Sequence, residues 1–152
     1  MTKSNSSSVL SKEQIDEVVG LYSSGKYQEA INKIQILNEA CPNVPLLFNL
    51  IGACYKALGQ LESSAIMFKK AVSIKTNYAE AHKNLGIVQK NLGMLEDSIQ
   101  SFKHAVFHKS DYLDAHYHLA NSLKDNNQLD DAVSSYEKVI LISPGFAQAH
   151  NN

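Results

Sequence analysis

The sequence predicts an all-α fold, a solenoid of antiparallel helix pairs stacked one on the next. Three observations carry this reading. The phrase YAEAHKNLG, from Tyr78 to Gly86, returns as YLDAHYHLA from Tyr112 to Ala120 and begins again as FAQAHNN at the end of the chain, so His82, His116 and His150 recur every 34 residues. Stepping by that interval aligns whole columns: Gly25, Gly59, Gly93 and Asn127; Ala30, Ser64, Ser98 and Ala132; Ile34, Phe68, Phe102 and Tyr136; Leu37, Ala71, Ala105 and Val139. Each unit also contains two stretches whose apolar residues fall at helical spacing. Self-similarity at such a period marks a repeat array, in which no unit buries its apolar face alone and neighbours stack to do so.

The elements follow in order. Residues 1–10 are rich in Ser, Asn and Thr and are expected to form a disordered tail. Ser11 with Gln14 fits a capping box and marks the first helix, whose apolar face is carried by Ile15, Val18, Val19 and Leu21. The third unit shows the pattern most clearly. Leu85, Val88 and Leu92 carry one helical stripe along residues 79–92, Gly93 interrupts it, and Leu95, Ile99, Phe102, Ala105 and Val106 carry the second. A glycine at the interruption takes the positive φ of a helix C-terminus, and Asn127 is the usual substitute there. The second helices end in polar residues, or at Pro42 and Pro144 in the first and last units. The last of them is expected near residues 129–142. Gly52, Gly86 and Ala120 are placed where the first helix of a pair approaches the second. The column starting at Ala30 is the matching notch, and Phe68 and Phe102 fill the space between pairs. The units run over residues 11–44, 45–78, 79–112 and 113–146, with a fifth begun at 147–152.

These residues resemble the tetratricopeptide repeats, whose signature is an aromatic, then leucine-glycine, then tyrosine, with a later alanine, phenylalanine and proline. The second unit reads Phe48, Ile51, Gly52, Tyr55, Ser64, Phe68, and the fourth reads His116, Leu119, Ala120, Leu123, Ala132, Tyr136, Pro144. The resemblance spans residues 11–152 without insertion or deletion and implies a right-handed solenoid. The first unit departs from it, with Gln14, Glu17 and Val18 at the aromatic, leucine and glycine positions, which leaves the rotation of that helix open.

Composition narrows the function. Hydrophobic residues make up 44% and charged residues 19% of the 152, and fourteen basic side chains against fifteen acidic ones leave a formal charge of −1. Neither a nucleic-acid nor a membrane partner is expected from so even a balance. The N-terminus has no apolar run of a secretory signal, and no stretch approaches the ~18 apolar residues of a bilayer span. Cys41 and Cys54 make no disulfide framework and read as small buried thiols of a cytoplasmic protein.

No catalytic constellation is found, so an enzyme active site, a cofactor and a metal are not expected. The histidine column occupies the family's aromatic position and reads as a packing ring. Equivalent side chains in stacked units lie roughly a helix diameter apart, ~10 Å, too far for one ion. His104 and His108 are spaced i, i+4, but no carboxylate follows His104 as in the H-E-x-x-H motif; the His104 column reads as solvated and the His108 column as buried.

The resemblance implies that the first helix of each pair lines a concave groove that receives a protein or peptide. Carried over position by position, it assigns peptide binding to Asn49, Lys56, Lys83, Asn84, Lys90, Tyr117, Asn121 and Lys124. Lys56, Lys90 and Lys124 form an equally spaced positive rail suited to an acidic partner, while Asn and Tyr side chains hydrogen-bond extended backbone. A chaperone-type carboxylate clamp is not expected: of Asn49, Ala53, Asn84, Asp114 and His118, only Asn84 fits, and Asp114 repels a carboxylate. The asparagine ladder of the O-linked N-acetylglucosaminyl transferase type is matched at Asn84 and Asn152 and interrupted at Leu50 and His118.

The reading is therefore a non-catalytic interaction module. Two alternatives remain: the substrate-recruiting region of a larger enzyme, glycosyltransferase-like or another transferase, whose catalytic domain follows Asn152, and a scaffold that self-associates through its last repeat. The run Val139, Ile140, Leu141, Ile142 and the unfinished helix after Pro144 are expected of a fragment of a longer array.

Overall fold

The computed structural model describes residues 9–146. The expected N-terminal tail up to residue 8 and the fifth unit at 147–152, with His150 and Asn152, lie outside the described residues. Those described form eight helices: α1 (Lys12–Ser23), α2 (Tyr27–Ala40), α3 (Pro45–Ala57), α4 (Leu61–Ile74), α5 (Ala79–Asn91), α6 (Leu95–His108), α7 (Leu113–Asp125) and α8 (Leu129–Ile142). The chain divides into two compact units, Met1–Ile74 and Lys75–Asn152.

The helices begin and stop for local reasons. The predicted capping box opens α1: Gln14 N–H donates to Ser11 Oγ at 3.3 Å and Ser11 N–H to Gln14 Oε1 at 2.9 Å. Pro45 occupies the first turn of α3, where its missing N–H costs nothing. The first helix of every pair ends on the column of Gly25, Gly59, Gly93 and Asn127, all with positive φ, 77° at Gly93 and 58° at Asn127. After α5, Gly93 N–H reaches Lys90 O at 3.0 Å and Met94 N–H reaches Gln89 O at 2.9 Å. This pair of bonds satisfies carbonyls that the helix leaves open and turns the chain into α6. Asn127 and Gln128 repeat it after α7 on Lys124 O and Leu123 O. Asn43, with φ 61°, is a further left-handed residue, just after α2, which the repeat columns did not mark.

In the first unit, α1 to α4 pack in chain order. Val18, Ile34, Leu37, Leu47 and Ile51 form one buried cluster, and Ala30, Ile31 and Cys54 another beside Tyr22, Tyr27 and Tyr55. The rotation of α1 is settled by burial, with Val18 turned fully inward and Val19 41% exposed. Both cysteines are buried thiols outside any disulfide, and burial pushes the Cys54 thiol up to about 11. The Phe68 ring lies against Gly52, whose carbonyl accepts a 2.7 Å bond from Ser64 Oγ. A serine in the notch thus closes the pair without leaving a buried hydroxyl unsatisfied.

In the second unit, α5 packs on α6, α6 on α7 and α7 on α8, and α5 also touches α7. Ile99, Phe102, Leu119, Ala120, Leu123, Ala132, Tyr136 and Val139 make its core. Phe102 is fully buried; it fills the space against Gly86 of its own pair and stacks on His118 of the next at 5.4 Å. Burying such a ring contributes about 2 kcal/mol. Two buried polar contacts join neighbouring helices here: Ser101 Oγ donates to Gln89 Oε1 at 2.6 Å, and Ser98 and Ser122 hydroxyls meet at 3.5 Å. No helix among the described residues is long and apolar enough to cross a membrane.

Candidate binding face

The predicted site residues fall on three helices. Asn49 and Lys56 lie on α3 in the first unit, Asn49 buried and Lys56 half-buried. The other six lie in the second unit: Lys83, Asn84 and Lys90 on α5, and Tyr117, Asn121 and Lys124 on α7. The helices that carry these six, α5 and α7, touch each other.

Electrostatics on that face differ from the uniform rail that spacing implies. Lys90 Nζ is 2.7 Å from the Asp125 carboxylate, and Lys83 Nζ is 4.0 Å from that of Asp114. Lys83 also lies 5.4 Å from the centroid of the Tyr112 ring, within cation–π range. Both ammonium groups are thus turned from α5 toward acids that open and close α7. Lys124 is exposed and enters no ion pair among the described residues. Of the three lysines on α5 and α7, it is the one without a carboxylate partner among the described residues. Sequence spacing located the lysines and weighed Asp114 only as a group that repels a ligand carboxylate; its pairing with Lys83, and that of Asp125 with Lys90, arise through packing between different columns.

The polar side chains are held. Asn121 Oδ1 accepts a 2.5 Å bond from the Tyr136 hydroxyl, while Tyr117 packs at 6.3 Å on Tyr136 and edge-on at 5.1 Å on Phe146. Asn84 is only 8% exposed. A rigid polar surface of this kind loses little side-chain entropy on binding.

Of the recurring histidines, the two among the described residues behave as the packing rings expected. His82 and His116 are buried, and each Nε2 meets the carbonyl six residues earlier, Thr76 O at 2.8 Å and Ser110 O at 2.9 Å. A carbonyl only accepts, so Nε2 carries the proton in both rings. His82 has further neighbours that column spacing did not bring together. Its ring stacks on His104 at 5.1 Å and on His108 at 5.8 Å, and those two rings lie 6.4 Å apart. Burial holds the His82 pKa below its ordinary value, against the opposing effect of the Thr76 bond, and the approach of these two rings adds a smaller push in the same direction as burial. His104 is exposed as expected. His108 is exposed too, in contrast to the expectation for its column, because α6 ends there and its ring turns out against Phe107. The signal for the cluster was present in the columns: the third repeat alone has histidine at all three positions. Among the described residues, no three His, Cys, Asp or Glu side chains converge to hold a metal ion.

Residues 47–78 and 113–146 match the family model described as tetratricopeptide repeat. Among solved structures, MamA is 27% identical, with a TM-score of 0.81 over 88% of this chain and 78% of its own. YrrB, described as a tetratricopeptide-repeat protein with an unusual peptide-binding site, is 21% identical, with a TM-score of 0.78 over 91% of this chain and 71% of its own. A thermophilic tetratricopeptide-repeat protein of Thermus thermophilus is 21% identical, with a TM-score of 0.73 over 88% of this chain and 74% of its own. The last two likenesses show the fold alone. No curated protein matches the chain.

Eight helices in a 34-residue register, with glycine and asparagine stops and glycine-on-ring notches, define an all-α helical repeat of the solenoid class, the architecture of a protein-interaction module. Two of its helix pairs match the tetratricopeptide-repeat family model, and the fold is similar to that of solved tetratricopeptide-repeat proteins.

Proposed function

We propose that this protein is a non-catalytic module that holds an extended peptide or protein segment on α5 and α7 of its second unit; Asn49 and Lys56 occupy the equivalent repeat positions within the first unit. The observation that carries this is the arrangement of Lys83, Asn84 and Lys90 opposite Tyr117, Asn121 and Lys124 on two touching helices. Asparagine supplies both a donor and an acceptor for a peptide backbone, and tyrosine a flat apolar body. Exposed Lys124 favours an acidic residue in the ligand. The Lys83–Asp114 pair, at 4.0 Å, is loose enough for an incoming carboxylate to take over. YrrB, of similar fold, is described as having a peptide-binding site, which supports a peptide as the class of ligand. Buried thiols at Cys41 and Cys54, neither in a disulfide, favour the cytoplasm as its setting.

Selection from a displayed peptide library, followed by fluorescence anisotropy on the winners, tests the proposal. Charge reversal at Lys90 and Lys124 is expected to weaken binding of acidic winners and to flatten its salt dependence. Unchanged affinity in the doubly reversed protein would refute this face.

A second reading, self-association, is favoured by Leu129, Val133 and Leu141. These lie on α8 and are each more than half exposed. Light scattering across a concentration series tests it, and a strict monomer excludes it.

A further inference from the structure

We propose that His104 and His108 form a two-imidazole site for a borderline divalent transition ion, of the class of Zn2+, Ni2+ or Cu2+. The pair lies one turn apart on α6, where side chains at i and i+4 are neighbours. Both rings are exposed, and neither makes a hydrogen bond or ion pair among the described residues, so each has a lone pair to offer. Their centroids are 6.4 Å apart with planes 17° from parallel. Two imidazoles on one tetrahedral ion hold their centroids about 5 Å apart, given metal–nitrogen distances near 2.0–2.1 Å. Small χ adjustments of two exposed side chains close that difference.

The fold does not call for these histidines. The second repeat has Phe48, Lys70 and Ile74 at the positions of His82, His104 and His108, and the fourth has His116, Lys138 and Ile142. Histidine at all three is peculiar to the third repeat and uses half of the six in the chain. The rings stack and do not converge, so the site takes two protein ligands, with water completing the coordination. His82 is a positioning residue. Its Nε2–H is anchored on Thr76 O, and its ring forms a floor 5.1 Å from His104 and 5.8 Å from His108. On the other side the Phe107 ring stands edge-on to His108 at 5.1 Å. The open depression above the pair, about 480 Å³ in volume, leaves room for the ion's waters. Lys103 borders the same depression and opposes a cation, which holds the affinity below that of a three-ligand zinc site.

Untagged protein titrated with ZnCl2 or NiCl2 near neutral pH, followed by calorimetry and by the imidazole resonances, tests the site. One ion per chain is expected, with shifts at His104 and His108. His104→Lys and His108→Ile install residues that this fold already accommodates at the equivalent positions, so both variants keep the helical circular-dichroism signal. Each is expected to lower affinity by about tenfold or more. His82→Phe installs the residue found at Phe48, keeps the ring and leaves the affinity within about threefold, since no ligand is lost. Three results would overturn the assignment: no saturable binding up to millimolar ion, wild-type affinity in the double variant His104→Lys/His108→Ile, or a His82→Phe loss as large as that of His104→Lys.

Discussion

The Phe102 ring lies over Gly86 so closely that a methyl group on residue 86 would stand 2.8 Å from Cε1 and 2.9 Å from Cδ1 of that ring. The same distance, 2.8 Å, separates such a methyl at Gly52 from Phe68. Gly86 and Gly52 are required for space, since both are helical and need no special φ. Gly86→Ala is expected to destabilise the protein by about 1–3 kcal/mol, the usual cost of overpacking. Urea unfolding will show a lower midpoint at an unchanged slope. Adding Phe102→Leu makes room for the methyl, so the double variant is expected to lose less than the sum of the two single losses.

The column of helix stops depends on conformation. Gly93 holds φ at 77° with no atom within 4 Å of an added Cβ. Gly93→Ala is therefore expected to cost about 1 kcal/mol through backbone strain alone. Gly93→Asn is expected to cost less, because Asn127 occupies the equivalent place with φ 58°. Thermal unfolding of the two variants under one buffer checks the order; equal losses would contradict it.

His82 couples the third repeat to pH. Its folded pKa lies below the ordinary value of 6.5, chiefly through burial. An unfolded chain then binds the proton first. The stabilisation is fully present above about pH 6.5 and is lost as pH falls through the lower, folded value. Wild-type protein is thus expected to lose more stability than His82→Phe between neutral pH and pH values below the folded pKa. Parallel unfolding-midpoint curves for the two proteins would contradict this.

The Lys90–Asp125 pair offers a test of the binding face that separates ligand recognition from folding. Both side chains are substantially exposed, so Asp125→Asn is expected to change stability by less than about 1 kcal/mol. The same change releases the Lys90 charge toward a ligand. For an acidic peptide, affinity is expected to rise in Asp125→Asn and to fall in Lys124→Glu, with both effects fading at high salt. A drop in affinity in Asp125→Asn would assign the aspartate itself a place in binding.

Much of this architecture was legible without coordinates, because it is written in local chemistry repeated at a fixed period. The glycine and asparagine stops, the Ser11–Gln14 box and the range of α8 depend on residues a few positions apart, and the fold realises each of them. Gly52 and Gly86 could be assigned to close approach because their partners Phe68 and Phe102 keep the same offset in successive repeats. What periodicity could not supply was the company each side chain keeps off its own column. Lys90 reads as an uncommitted positive charge until packing brings Asp125 to 2.7 Å. His104 and His108 read as an isolated pair until the turn between α5 and α6 lays the His82 ring beneath them. Column spacing records what each repeat shares with the next. Charge compensation and side-chain clustering depend on contacts between unlike columns, and these exist only once helices have packed at a definite distance and rotation.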